Sequence, residues 1–133
     1  MKDLIWDDSL SVQVQEIDED HQKLVDLFNI INRAVIEGEA KDYIAALLEE
    51  LINCTVWHFS HEERLMLKYN YSGLADHRSE HQELIQSARE FQQKSLQQDK
   101  AVNSEDIIFL ENWLTGHILG ADMDLGSYLG ETM

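Results

Sequence analysis

Proline is missing from the whole sequence of 133 residues, and only one cysteine is present. Without proline the chain lacks the residue that most strongly interrupts helices, so helix ends must be marked by glycines and capping residues. One cysteine cannot form an internal disulfide, and such usage is typical of a reducing compartment. The core must therefore depend on apolar packing, for which the 44% of hydrophobic residues provide the material.

Basic residues are also scarce, 10 against 26 acidic ones, which gives a formal net charge of −16. Nucleic acids and anionic membrane surfaces would repel such a chain, and we expect it to bind neither. No apolar run reaches the roughly 20 residues of a spanning helix, so we expect no membrane insertion. Acids at positions 3, 7 and 8 are unlike a secretory signal, and we expect a cytoplasmic location.

Apolar residues recur at steps of three and four along four segments, which is the period of amphipathic helices. We predict helices at about residues 18–38, 42–68, 74–96 and 104–119. Four amphipathic helices with short connections favour an all-α fold, an antiparallel up-down four-helix bundle, in a single domain over residues 1–133.

Local signals set the predicted helix ends. Asp18 is the expected N-cap of the first helix, and Gly38 its end. Asn103 and Asp106 have the spacing of a capping box before the fourth helix. Residues 1–17 show no helical period and are predicted to form an extended N-terminal arm, and a polar loop is predicted at 97–103.

Five of the six histidines fall on the helix faces that are predicted to point into the core. They are His21, His58, His77, His81 and His117. A single histidine on such a face is more often a hydrogen-bonded core residue than a ligand. Five unpaired imidazoles, however, would each cost about 1–3 kcal/mol of unmet hydrogen bonding. Metal binding would satisfy all five together.

The spacing within two helices supports a metal site. His77 and His81 are four residues apart, so they project from one helix face one turn apart and can meet one ion. His58 and Glu62 have the same spacing on the preceding helix. A buried carboxylate is strongly unfavourable unless a cation or donor accompanies it, which favours a ligand role for Glu62.

Asp122 follows His117 by five residues, a step that rotates about 140° on an ideal α-helix. For both side chains to reach one site, the backbone near Gly120 must leave α geometry. Five histidines and two carboxylates are more ligands than one ion uses. We therefore predict two metal ions, bridged by Glu62 and Asp122.

Other metal sites fit the spacing less well. The His-Glu-x-x-His helix of zinc proteases would need a second histidine where Leu65 stands, and the Glu-x-x-His pairs of ferritin-like di-iron proteins are absent. A histidine-rich set without thiolates favours iron, copper, nickel or zinc. We place His61 outside the ligand set, as an outer or solvent-facing histidine, and interpret Cys54 as a small buried thiol.

The same residues form four motifs that resemble those of the hemerythrin family, in its single-domain bacterial form. The motifs are Ile17 to His21, His58 to Glu63, His77 to His81, and Trp113 to Asp122. Their order and spacing run over nearly the whole chain, which makes the resemblance more specific than any single pair of histidines. Leu84 stands where the family pattern has phenylalanine, an apolar exchange outside the ligand set.

The resemblance implies a non-heme di-iron centre and assigns each predicted ligand to one or both irons. One iron would be held by His77, His81 and His117, and the other by His21 and His58. Glu62 and Asp122 would bridge the two ions, together with an oxo or hydroxo group from solvent. This gives six ligands on the first iron and five on the second, which leaves one position open for dioxygen.

The function implied by the resemblance is reversible binding of dioxygen for storage or delivery, without enzymatic turnover. Leu114 and Trp113 match residues that line the family's oxygen pocket, although both also fit as ordinary core residues. Two alternatives use the same site: sensing of oxygen or redox state through a partner protein, and handling of peroxide or nitric oxide. A metal-free or zinc-binding bundle would leave the five core histidines unexplained.

Overall fold

The structure is a computed structural model that describes residues 3–97 and 102–133. Its helices are α1 (Gln15–Ile36), α2 (Lys41–Lys68), α3 (Leu74–Gln97), α4 (Ser104–His117) and α5 (Met123–Thr132). A π-helical turn at Ile118–Asp122 joins α4 to α5, and a short 3-10 turn lies at Asp8–Leu10. Helix α2 packs on α1 and on α3, and α4 packs on α1. The predicted all-α four-helix bundle is confirmed, with α4, the π turn and α5 as its fourth rod.

Within the described ranges, no helix combines the length and the apolarity that crossing a membrane requires. The polar loop predicted at residues 97–103 lies mostly outside the described residues, as do Met1 and Lys2 of the arm.

Helix α1 begins at Gln15, so the arm ends at Val14 and not at residue 17. The prediction that Asp18 is the N-cap is wrong, because Val14 occupies that position. The Asp18 carboxylate instead accepts hydrogen bonds from the Val12 backbone N–H at 2.8 Å and the Ser11 hydroxyl at 2.6 Å. Asp18, which the sequence pattern predicts as an N-cap, therefore holds the arm against the first turn of α1 by hydrogen bonds.

The fourth rod starts as predicted and continues further than predicted. Asn103 and Asp106 form the expected capping box. The backbone departs from α geometry around Gly120, as the spacing of the two flanking ligands requires, but the rod does not end at residue 119. It continues as α5 to Thr132, with Leu125 and Leu129 fully buried.

The apolar interior consists of two clusters with a polar layer between them. The larger cluster includes Leu24, Phe28, Leu51, Ile107 and Ile118. The smaller one includes Val12, Ile17, Met66, Leu125 and Leu129. On each rod, the buried histidines and carboxylates lie between residues of the larger cluster and residues of the smaller one.

Gly126 lets the arm approach α5. A Cβ atom at this position would lie 2.3 Å from the backbone oxygen of Val12, whereas nothing lies within 4 Å of a Cβ at Gly130. We expect Gly126→Ala to lower the free energy of unfolding by about 1–3 kcal/mol, because the backbone of the arm must move. Gly130→Ala on the same helix is the matched control and should be neutral or stabilising by up to about 1 kcal/mol. Urea denaturation of both variants measures the difference, and equal stabilities would contradict the packing described here.

Candidate metal centre

All seven residues predicted as ligands lie in the polar layer, and the structure brings them together. Helix α1 supplies His21; α2 supplies His58 and Glu62; α3 supplies His77 and His81; α4 ends at His117, and the π turn ends at Asp122. None of these side chains is more than 5% exposed. The candidate ligand atoms of all four rods therefore lie close together in one buried site.

The seven residues form two overlapping groups that share Glu62 and Asp122. One group adds His77, His81 and His117, and the other adds His21 and His58. Within each group the candidate ligand atoms all lie within 4.8 Å of one another. This division into three and two histidines matches the one implied by the resemblance.

Each shared carboxylate turns one oxygen toward each group. Glu62 has Oε1 at 2.9 Å from His81 Nε2 and Oε2 at 3.0 Å from His58 Nε2. Asp122 has Oδ1 at 2.9 Å from His117 Nε2 and Oδ2 at 2.8 Å from His21 Nε2. Two carboxylates with this orientation are suited to bridge two cations.

The π turn places Asp122 beside His117. In a π-helix the backbone hydrogen bonds run from residue i to i+5, so a five-residue step returns nearly to the same face. An α-helix would leave the two side chains about 140° apart. The observed turn covers Ile118–Asp122, which confirms the predicted departure from α geometry.

The two nitrogens of the His81 and His117 rings face different surroundings, and this arrangement suits a cation between the rings. His81 Nε2 lies 3.2 Å from His117 Nε2, while the Nδ1 atoms of the two rings lie 3.2 Å from Glu63 and 2.9 Å from Glu80. If each Nδ1 donates its proton to its carboxylate, two Nε2 lone pairs face one another. A cation between them would convert this repulsion into coordination.

Several buried atoms at the site have no hydrogen-bond partner among the described residues. They are both ring nitrogens of His21, His58 Nε2, Glu62 Oε2 and both oxygens of Asp122. Apart from His21 Nδ1, each of these atoms lies within 4 Å of an oppositely charged or ionisable neighbour. Since buried polar groups are nearly always satisfied, these atoms fit a site completed by metal ions.

Without metal, protons must balance the carboxylates. Burial lowers the pKa of His117, but its close contacts with the Asp122 and Glu62 carboxylates outweigh burial and raise that pKa to about 11. The carboxylates beside His58 and His77 likewise outweigh burial and raise the pKa of each to about 9. Burial and the charge of Glu62 act to raise the pKa of Asp122, yet the nearby imidazoles hold it at about 2.

Three outer carboxylates that the sequence analysis did not single out orient the ligand rings. Asp20, Glu63 and Glu80 each lie next to a predicted ligand in the sequence, but each contacts a histidine on the following helix. Adjacent residues on an α-helix differ by about 100°, so a neighbour of an inward ligand faces the next helix. An acidic residue next to a predicted ligand is therefore the sequence signal for these carboxylates. Which histidine each one contacts depends on how the helices pack.

His61 lies outside the two ligand groups, in line with the prediction. Its Nδ1 lies 2.6 Å from Asp20 Oδ2, the same oxygen that His58 Nδ1 approaches at 2.9 Å. Cys54 is half-buried, and burial raises the pKa of its thiol. It packs against the larger apolar cluster.

A cavity of about 10 Å³ adjoins the two-histidine group. Its walls include both histidines of that group, His21 and His58, and one histidine of the other group, His117. Trp113 and Leu114, the two residues expected to line a pocket, also line it. Apolar side chains dominate the remaining wall, including Leu24, Phe59, Leu84 and Ile118.

Apart from the histidines, the side-chain donors in this wall are a hydroxyl and an indole N–H, and both donate to backbone carbonyls. Thr55 donates its hydroxyl proton to the Leu51 carbonyl at 2.7 Å. Trp113 donates its indole N–H to the Leu84 carbonyl at 2.9 Å. Neither group is therefore available to donate a proton into the cavity.

Comparisons with known proteins agree with this geometry. Residues 12–129 match the family described as Hemerythrin HHE cation binding domain. Myohemerythrin of Riftia pachyptila is 36% identical over 118 residues, which are 89% of this chain and 87% of that protein. Bacteriohemerythrin of Pseudomonas paraeruginosa is 32% identical over 122 residues, 92% of this chain and 78% of that protein.

A crystal structure of wild-type hemerythrin superimposes with a TM-score of 0.85 at 28% sequence identity, and the match covers 95% of this chain and 97% of that one. The similarity thus extends over the helices that carry all seven buried residues. The chain belongs to the hemerythrin family.

Proposed function

We propose that this protein binds dioxygen reversibly at a carboxylate-bridged di-iron centre, for oxygen storage or delivery. The observation that carries the proposal is the asymmetry of the site. One group has three histidines and the other has two, and the small apolar cavity is lined by both histidines of the smaller group but by one histidine, His117, of the larger.

The residues divide naturally between two iron ions. His77, His81 and His117 would hold one iron, and His21 and His58 the other, with Glu62 and Asp122 shared. An oxo or hydroxo group from solvent would complete the bridge. When bound, two ferrous ions supply the two electrons that reversible dioxygen binding requires.

Ligand counting supports an open position at the cavity. Three histidines, two carboxylate oxygens and a solvent bridge would complete six ligands on one iron. Two histidines with the same bridges would leave the other iron with five. The cavity walls at His21 and His58 place free volume beside that second group.

The cavity wall would protect the bound gas. Leu114 and Trp113 present apolar surface, and the hydroxyl of Thr55 and the indole N–H of Trp113 are both occupied by carbonyls. A site that excludes water and proton donors disfavours the side reaction in which reduced oxygen leaves with protons and both irons stay oxidised.

The first test is iron content together with the visible spectrum. We expect about two irons per chain, a colourless form after anaerobic reduction, and an absorption band that appears in air and disappears on deoxygenation, as expected if each of the two ligand groups holds one ion. Direct conversion to a stable oxidised form, with no recovery on deoxygenation, would sink the proposal. His117→Ala serves as the control and should lose metal, because it removes a ligand and leaves its partners unsatisfied.

The second test introduces a polar group into the cavity. Leu114→Asn keeps a similar shape but adds an amide, which is not itself an acid but holds water in the cavity. Because that water can deliver protons, we expect the oxygenated form to decay about tenfold faster or more, since proton delivery to a reacting group contributes factors of this size or larger. Leu114→Met is the apolar control and should change the decay rate much less. Equal decay rates for the two variants, measured after mixing with air-saturated buffer, would show that exclusion of donors does not protect the site.

The third test compares stability with and without metal as pH changes. In the metal-free protein the raised pKa values of His58, His77 and His117 give a stabilisation that is complete below the ordinary histidine pKa of 6.5 and is lost as pH rises through about 9 and about 11. The lowered pKa of Asp122 gives a stabilisation that is present above the ordinary aspartate pKa of 3.8 and is lost as pH falls through about 2.

The metal-free protein should therefore be most stable at mildly acidic pH, where Asp122 is ionised and the three histidines are protonated. It should become less stable at alkaline pH, where the histidines lose their protons. Metal ions require neutral imidazoles, so they replace those protons, and the stabilisation by metal should increase with pH. Thermal melting of both forms between mildly acidic and alkaline pH measures this difference. A metal-free melting temperature that rises toward alkaline pH would contradict the histidine assignments.

A further inference from the structure

Metal ions must reach a site whose seven ligands are at most 5% exposed. A strongly hydrated cation crosses an apolar wall at high cost, so a route needs ligands that replace its waters one after another. The structure offers one such series beside the two-histidine group.

Five side chains form a continuous series from the surface to the site. Glu16 Oε2 lies 3.3 Å from His61 Nε2, and His61 Nδ1 lies 2.6 Å from Asp20 Oδ2. The same Asp20 oxygen lies 2.9 Å from His58 Nδ1, and His58 Nε2 lies 3.0 Å from Glu62 Oε2. Every member is a residue type that binds divalent metal ions.

Exposure falls steadily along this series. The side chain of Glu16 is 51% exposed, that of His61 16%, that of Asp20 7%, that of His58 2% and that of Glu62 0%. At the inner end, His58 Nε2 and Glu62 Oε2 are buried atoms without a hydrogen-bond partner. The series thus leads from solvent to atoms that require a cation.

A groove runs beside the series. It has a volume of about 190 Å³, and its walls include Asp20, Lys23, Cys54, Trp57 and His58. Asp20, His58 and His61 also form a cluster whose candidate ligand atoms lie within 4.8 Å of one another. Open space and ligating atoms therefore meet at Asp20.

The other two outer carboxylates do not combine these features. Glu63 lines a groove of about 360 Å³ together with the ligand His81, but it is paired with Arg78 at 2.7 Å, and the guanidinium offsets its charge. Glu80 contacts the ligand His117 directly, and no second imidazole precedes it in the part of the chain that the structure describes. Only the series through Asp20 gives several successive ligands on the described surface.

We propose that Glu16, His61 and Asp20 form a loading route by which divalent metal ions reach the buried centre. The ion exchanges water for the Glu16 carboxylate, then for the His61 imidazole and Asp20, before it passes His58. This inference rests on the two-metal centre of the proposed function, but not on dioxygen binding.

The test follows metal uptake by the full chain after removal of metal with a chelator. The probe is Co²⁺ alone. Its visible absorption changes when the protein coordinates it, so the uptake rate can be followed without excluding air. Elemental analysis then measures the final Co²⁺ content. His61→Gln keeps an amide that can donate to Asp20 but removes the imidazole. Glu16→Gln changes an exposed position and leaves folding undisturbed, which circular dichroism of the metal-free variants checks.

Glu19→Gln is the matched control for charge. It removes one negative charge from the same face of α1, and the Glu19 side chain contacts Gln15 and not the series. We expect uptake to slow about tenfold in His61→Gln and several-fold in Glu16→Gln, since loss of one contact to a charged group commonly changes a constant by such factors. Glu19→Gln should change the rate only as much as general charge steering does.

The final Co²⁺ content and spectrum should equal those of the wild type in all three variants. Uptake rates like those of Glu19→Gln would overturn the loading route. A lower final content or an altered spectrum in His61→Gln would also overturn it, because His61 would then act by holding His58 in place. Failure of the wild type to take up Co²⁺ would refute the metal centre itself, whereas normal uptake without reversible dioxygen binding would refute only the proposed function.

Discussion

The sharing of Glu62 and Asp122 between two groups of histidines is the constraint on which the rest of the structure depends. Each carboxylate directs one oxygen toward each group of histidines, so the histidines around it must come from more than one helix. Rods from all parts of the bundle have to meet at a fixed depth. Burial of two carboxylates at 0% exposure is tolerable only because opposite charge, protons or metal ions, surrounds them.

Each outer carboxylate orients a histidine ring on the following helix. Asp20 on α1 holds His58 on α2, Glu63 on α2 holds His81 on α3, and Glu80 on α3 holds His117 on α4. Such contacts fix the ring tautomer so that Nε2 faces the site, and they make the ligand more basic. His21 on α1 lacks such a partner at Nδ1, and it belongs to the group beside the cavity.

The grouping of the seven buried residues could be predicted from sequence because helical spacing is a local property. His58 with Glu62, and His77 with His81, share a face whatever surrounds them. The contact of Asp18 with the arm could not be predicted in this way, since its capping tendency is local but its observed partners lie in the preceding segment. Helix α5 was missed because glycines at 126 and 130 weaken the helical signal, and burial of Leu125 and Leu129 supplies what propensity lacks.

The polar layer has a consequence for how the protein unfolds. It separates the large apolar cluster from the smaller one formed by the arm, the end of α2 and α5. Regions with few shared apolar contacts open as separate cooperative units. The seven buried residues of the polar layer lie between these two units, so metal bound there would join them into a single folding unit. Without metal, the end of the bundle that carries α5 and the arm is free to open and exchange its amide hydrogens before the rest.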